Sequence, residues 1–139
     1  MGVMVNDQEI VRVDSKGRVT IPAYMRGDLG IREGAYAAIR INREERAISI
    51  GLFAGAKAKL VEVRMRIQDR PGALARVART LSELSVDLLS STSRTMKKGE
   101  LAEWMVIADF SQSSRDPEEI RRRVLENKDA IAVDLRHLS

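Results

Sequence analysis

Residues 60–89, LVEVRMRIQDRPGALARVARTLSELSVDLL, change their hydrophobic period partway along, and that change decides the fold. From Leu60 to Ile67 the period is two: Val61, Val63, Met65 and Ile67 share one face, while Glu62, Arg64 and Arg66 share the other. Successive strand side chains point to opposite faces, so this run predicts a half-buried β-strand. After Asp69-Arg70-Pro71-Gly72 the spacing becomes helical, with Leu74, Val77, Ala78, Leu81 and Leu84 on one stripe. A stripe of that kind predicts a helix packed on the sheet.

Working outward, residues 86–94 and 101–110 read as two further strands joined by a turn around Lys97-Lys98-Gly99. Asp116-Pro117-Glu118-Glu119 sets an N-cap acid before a first-turn proline and a third-position glutamate, which predicts a helix through Leu125. Residues 131–138 close the pattern as a strand. The order βαββαβ is the ferredoxin-like arrangement, an antiparallel sheet with both helices on one face. Upstream, residues 54–58 are small and flexible and read as linker. Residues 10–14 and 18–21 flank the polar turn Ser15-Lys16-Gly17 and predict a hairpin. Pro22 suits the first position of a helix of about two turns, and Gly30 suits its stop. Residues 35–42 and 47–53 form another predicted strand pair across residues 43–46. This front part has almost no core of its own, a shortage that a second copy would make good. The expected division is 8–53, a linker at 54–59, and 60–139.

With 44% hydrophobic and 32% charged residues, the 139-residue chain has the balance of a globular protein. No apolar run approaches the roughly 20 residues that span a bilayer, and the start lacks a secretory pattern, so no membrane partner and a cytoplasmic location are expected. There is no cysteine, and His137 is the single histidine. Zinc sites, thiolate chemistry and Ser–His catalysis need residues missing here, so we expect no metal site, no cofactor, no catalytic residues and no enzyme activity. The net charge of +4 permits nucleic acid as a partner. Its placement is more telling: within residues 10–26, Arg12, Lys16, Arg18 and Arg26 face the single acid Asp14. Clustered charge is what a phosphate backbone feels.

The segment VRVDSKGRVTIPAYMRGDLGIREG, residues 11–34, resembles the AbrB/MazE-like (SpoVT/AbrB) swapped-hairpin DNA-binding domain. Its markers are the Val-Asp, the Gly-Arg-Val, the Ile-Pro, a basic residue, and Leu-Gly-Ile followed by Gly. The resemblance implies a β-rich, intertwined dimer that presents Arg12, Arg18 and Arg26 to double-stranded DNA, and Lys16 beside them adds a mobile point charge. Gly27 departs from the pattern, since many members carry a second basic residue there. Independently of the family, an arginine fork holds a phosphate or the O6/N7 edge of guanine with two hydrogen bonds. The plainer reading is a solvated edge that discourages strand-to-strand aggregation.

Residues 61–89 look like the start of an ACT domain, marked by Asp69-Arg70-Pro71-Gly72-Ala73-Leu74 between an alternating strand and an amphipathic helix. Pro-Gly makes a tight turn, and glycine lets a ligand come close to the backbone. The following helix N-terminus offers amides to a carboxylate, and Asp69 is placed to receive an ammonium group. The resemblance implies paired ACT domains with an amino acid or similar small effector held by Asp69, Gly72, Ala73 and Leu74. Where many members have Gly-Val-Asn-Ile, this chain has Ser85-Val86-Asp87-Leu88, and Asp87 is a fifth candidate for ligand contact. The plainer reading of Asp-Arg-Pro-Gly is an ordinary strand-to-helix turn.

Together these readings predict a homodimer or higher homo-oligomer: a DNA-binding transcriptional regulator whose ACT half senses an amino acid. The alternatives are an antitoxin-like interaction module and a non-catalytic regulatory subunit of amino-acid metabolism.

Overall fold

The expected alternation over residues 60–67 appears as β3 (Leu60–Gln68), the strand around which half of the molecule is built. In this computed structural model, which describes residues 8–138, the chain divides into two units, Met1–Ala56 and Lys57–Ser139. In the second unit β3 lies between two antiparallel neighbours, β5 (Leu101–Asp109) and β6 (Ala130–His137), and β4 (Asp87–Lys97) adds to the outside of β5. The strand order is therefore β4-β5-β3-β6. Helices α2 (Ala73–Glu83) and α3 (Pro117–Glu126) complete the βαββαβ sequence.

Val61, Val63, Met65 and Ile67 of β3 are buried together with Trp104 and Val106 of β5, Val77 and Leu81 of α2, and Ile120 and Val124 of α3. Both helices thus cover the same face. Apolar surface removed from water on this side stabilises the sheet by about 25 cal/mol per Å². The opposite face is a lattice of charge. The Glu62 carboxylate accepts from Arg136 at 2.7 Å, and that of Glu103 accepts from Arg94 at 3.3 Å.

Local signals explain the helix ends. The Asp116 carboxylate accepts from the Glu119 backbone N–H at 2.8 Å, the expected N-cap bond, whereas the Glu119 side chain pairs with Arg115 at 2.6 Å instead of closing the box. Helix α2 ends with Ser85 N–H on the Ser82 carbonyl and Val86 N–H on the Leu81 carbonyl, and Ser85 sits at φ +60°. This is a left-handed helix stop that favours glycine. The departure noticed at position 85 therefore places a serine in a conformation that costs it roughly 1–2 kcal/mol.

In the first unit, helix α1 (Ala23–Leu29) starts one residue later than expected, with Pro22 before it, and Gly30 at φ +72° ends it. Strands β1 (Tyr36–Asn42) and β2 (Ala47–Ala54) pair antiparallel as expected. The hairpin expected over residues 10–21 is different. Its turn closes, with Gly17 N–H on the Asp14 carbonyl and Asp14 N–H on the Arg18 carbonyl, but residues 10–14 and 18–21 form no ladder. The Asp14 carboxylate and Gly17 hold the turn locally, and beyond the Asp14–Arg18 bond the arms do not pair. No described residue of this unit is buried. Register places Ala37, Ile39 and Ile41 opposite Leu52, Ile50 and Ile48, so these side chains share one face of the β1–β2 pair, and it is open.

Among the described residues, no helix is long and apolar enough to cross a membrane, and no group of three or more His, Asp or Glu side chains is arranged to hold a metal ion.

Candidate functional site

The basic cluster of the first unit is organised by its one acid. One oxygen of Asp14 accepts the backbone N–H groups of Lys16 at 2.8 Å and Arg18 at 2.9 Å, and the other accepts Nε of Arg18 at 2.8 Å. The backbone N–H of Arg18, followed by its guanidinium, holds the Asp14 carboxyl below the usual carboxylate range. An aspartate that bonds its own backbone downstream builds a turn of this type, and Gly17 at φ +78° completes it. The Arg18 side chain remains 71% exposed, with Nε turned inward to Asp14. Arg12 and Lys16 are also exposed. Arg26 lies on α1 and donates from Nε to the Ile21 carbonyl at 3.0 Å, tying the helix to the end of the hairpin segment.

In the second unit the candidate residues separate. Asp69 and Leu74 line a cavity of about 200 Å³ with Ile67, Gln68, Arg70, Ser93, Arg94, Thr95 and Ala102. Asp69 is more than a lining group, because one of its oxygens accepts the Gly99 N–H at 2.7 Å while its own N–H donates to the Glu100 carbonyl at 3.2 Å. It ties the β3–α2 turn to the β4–β5 turn. The second carboxylate oxygen accepts no hydrogen bond from the described residues. The Ala73 side chain is 1% exposed and belongs to the core, so its contribution at the surface is backbone.

Gly72 has the left-handed φ of +82° that its turn requires, but the space beside it is filled. A Cβ built there would meet Nη1 of Arg76 at 2.7 Å. Arg76 grips Asp129 with two bonds, 2.6 Å from Nε and 3.0 Å from Nη2. That bidentate contact is the main reason the Asp129 carboxyl is held below its ordinary range. The arginine thus occupies the space on the Cβ side of Gly72. Asp87 is not brought to this turn at all. It pairs with Asp109, which pairs with Leu60 at the start of β3, whereas Asp69 follows its end. At about 3.3 Å per residue the two are roughly 30 Å apart.

Sequence reasoning passed over Ser93 and Thr95, although their places on an alternating strand were a usable signal. It also passed over Arg76 and Asp129. The i, i+4 spacing of Gly72 and Arg76 was visible, but nothing local points to Asp129, 53 residues away.

Residues 61–128 match the model of the ACT domain. An ACT domain is identified in this half of the chain. Such a domain suggests a regulatory role in sensing a small molecule such as an amino acid. Similar solved structures include an unknown protein from Galdieria sulphuraria, with 17% identity and a TM-score of 0.49 over 59% of this chain and 46% of that one. This chain therefore spans less than half the length of the Galdieria protein. An ACT domain protein from Streptococcus pneumoniae is 14% identical, with a TM-score of 0.47 over 58% of this chain and 90% of its own. The C-terminal domain of the MgtC protein from Mycobacterium tuberculosis is 12% identical, with a TM-score of 0.45 over 59% and 89%. A search of the curated proteins returns no match.

Proposed function

We propose that this chain is a non-catalytic, cytoplasmic transcriptional regulator that binds double-stranded DNA as a homodimer and whose ACT domain senses an amino acid. The observation that carries this reading is the contrast inside the first unit, which joins an uncovered apolar face to an exposed basic turn. Ile39, Ile41, Ile48, Ile50 and Leu52 are exposed on one face of β1–β2. A contiguous apolar face on a small unit marks an interaction surface. A second copy supplies the same face, and isologous pairing covers both at once. Two copies then offer two sets of Arg12, Lys16, Arg18 and Arg26, and symmetric pairs of basic elements match symmetric half-sites on a duplex.

The effector side rests on the cavity beside the β3–α2 turn, where Asp69 and Arg70 offer one charge of each sign to a zwitterion. Coupling between the two ends requires that the effector bind the DNA-competent arrangement with a different affinity from the incompetent one. Titration of a labelled duplex at several salt concentrations tests the DNA half. Arg18→Ala weakens binding and flattens the salt slope by about one for each phosphate that the variant no longer neutralises. Unchanged affinity and slope overturn the assignment.

One observation favours a second reading, a regulatory subunit that binds no DNA: the Asp14 carboxylate already answers part of the Arg18 charge. Amino-acid binding without any duplex binding would select it.

A further inference from the structure

The cavity at the end of β3 is walled by β4, and register decides which of its side chains face inward. Ser93 pairs with Trp104 and Thr95 with Ala102, and both partners are buried on the helix side of the sheet. Ser93 and Thr95 therefore point to the helix side, while Arg94 pairs with Glu103 on the opposite face. Ser91 belongs to the same row as Ser93 and Thr95, but its oxygen accepts the Trp104 indole N–H at 2.7 Å. Neither Ser93 nor Thr95 has a side-chain hydrogen bond among the described residues, and both are exposed. Two unengaged hydroxyls, about 7 Å apart along the strand, thus face a cavity whose apolar lining is Ile67, Ala102 and Leu74.

We infer that Ser93 and Thr95 are the specificity-determining residues of this cavity and that they select a small polar amino acid, one with a hydroxyl or amide side chain. The inference rests on the effector reading above and adds the class of effector to it. At about 200 Å³ the cavity is smaller than the roughly 300–1,000 Å³ typical of sites for larger ligands. Asp69 and Arg70 answer the ammonium and carboxylate that every amino acid carries, so they do not discriminate. A hydroxyl both donates and accepts, so Ser93 and Thr95 match an alcohol or an amide equally well. A large apolar side chain would bury these hydroxyls without partners, and sites built to hydrogen-bond a polar group reject analogues that lack it.

The test is calorimetric titration and thermal shift of the full chain with L-serine, L-threonine and L-asparagine against L-alanine, L-leucine and L-phenylalanine. A polar member binds wild type at least about tenfold more tightly than any apolar one. Ser93→Ala combined with Thr95→Val removes that preference and leaves the ligand-free melting temperature unchanged, because both hydroxyls are exposed and unengaged. Tighter binding of leucine or phenylalanine, or an unaltered preference in the double variant, overturns the inference and leaves the effector reading standing. If none of the amino acids binds, both fall.

Discussion

The two halves of this chain use similar strands to opposite ends. β3 and β1 are both short, alternating and paired antiparallel, yet Met65 of β3 is fully buried whereas Ile39 of β1 is 69% exposed. The second unit owns two helices that cover its sheet, and every buried side chain among the described residues lies there. Among the described residues, the first unit has a single seven-residue helix and leaves its apolar sheet face bare. Alternation fixes which side chains share a face, but something must lie over that face before the pattern becomes a core. In the second unit the chain supplies the cover itself; in the first, we propose, another copy does.

Substitutions test this contrast, and the largest effect falls in the self-sufficient half. Met65→Ala removes about 2–5 kcal/mol of unfolding free energy, the usual range for emptying a buried site, as read by chemical denaturation. In the other half, Ile39→Ala costs about 2 kcal/mol if a second copy covers the face, and the unfolding midpoint then depends on protein concentration. A change within about 0.5 kcal/mol, with no concentration dependence, leaves the face bare and breaks the comparison.

Two smaller effects probe the turns that frame the second unit's helix. Ser85→Gly stabilises the chain by about 1 kcal/mol by relieving the left-handed serine, measured by the same denaturation experiment. The smallest effect is one of pH. Asp129 is held below its ordinary range by Arg76, so its contribution is present above the unfolded carboxylate value and is lost as pH falls through the lower folded value. Asp129→Asn lowers stability at neutral pH, and acid titration of its melting temperature shows a shallower fall than wild type below about pH 4.

Much of the ACT half was legible because its signals are local. The alternation of β3, the stripe of α2 and the Asp116 cap each lie within a few residues and appear in the structure, except that Ala73 rather than Leu74 begins the buried stripe and Leu74 is exposed. The ends of the elements moved by a residue or a few, as with β4, which runs on to Lys97. The site was legible only in part. Asp69 and Leu74 line the cavity, but Asp87 stands at the other end of the sheet. Strand direction, rather than proximity to a helix end, decides which end a residue occupies. For the opening hairpin, residue types announced the turn, whose bonds are local, but not that its arms would stay apart while the equally uncovered β1 and β2 pair.

The order of amino acids set the period of each segment, the faces those periods create and the caps that end the helices, because these depend on backbone geometry repeated over a few residues. Folding in three dimensions set the rest: Arg76 beside Gly72 grips Asp129, Asp69 is shared with Gly99, and Ser93 and Thr95 meet the same cavity as Leu74. Those contacts join segments remote along the chain, and their partners are set by strand register and helix packing, which no local period encodes.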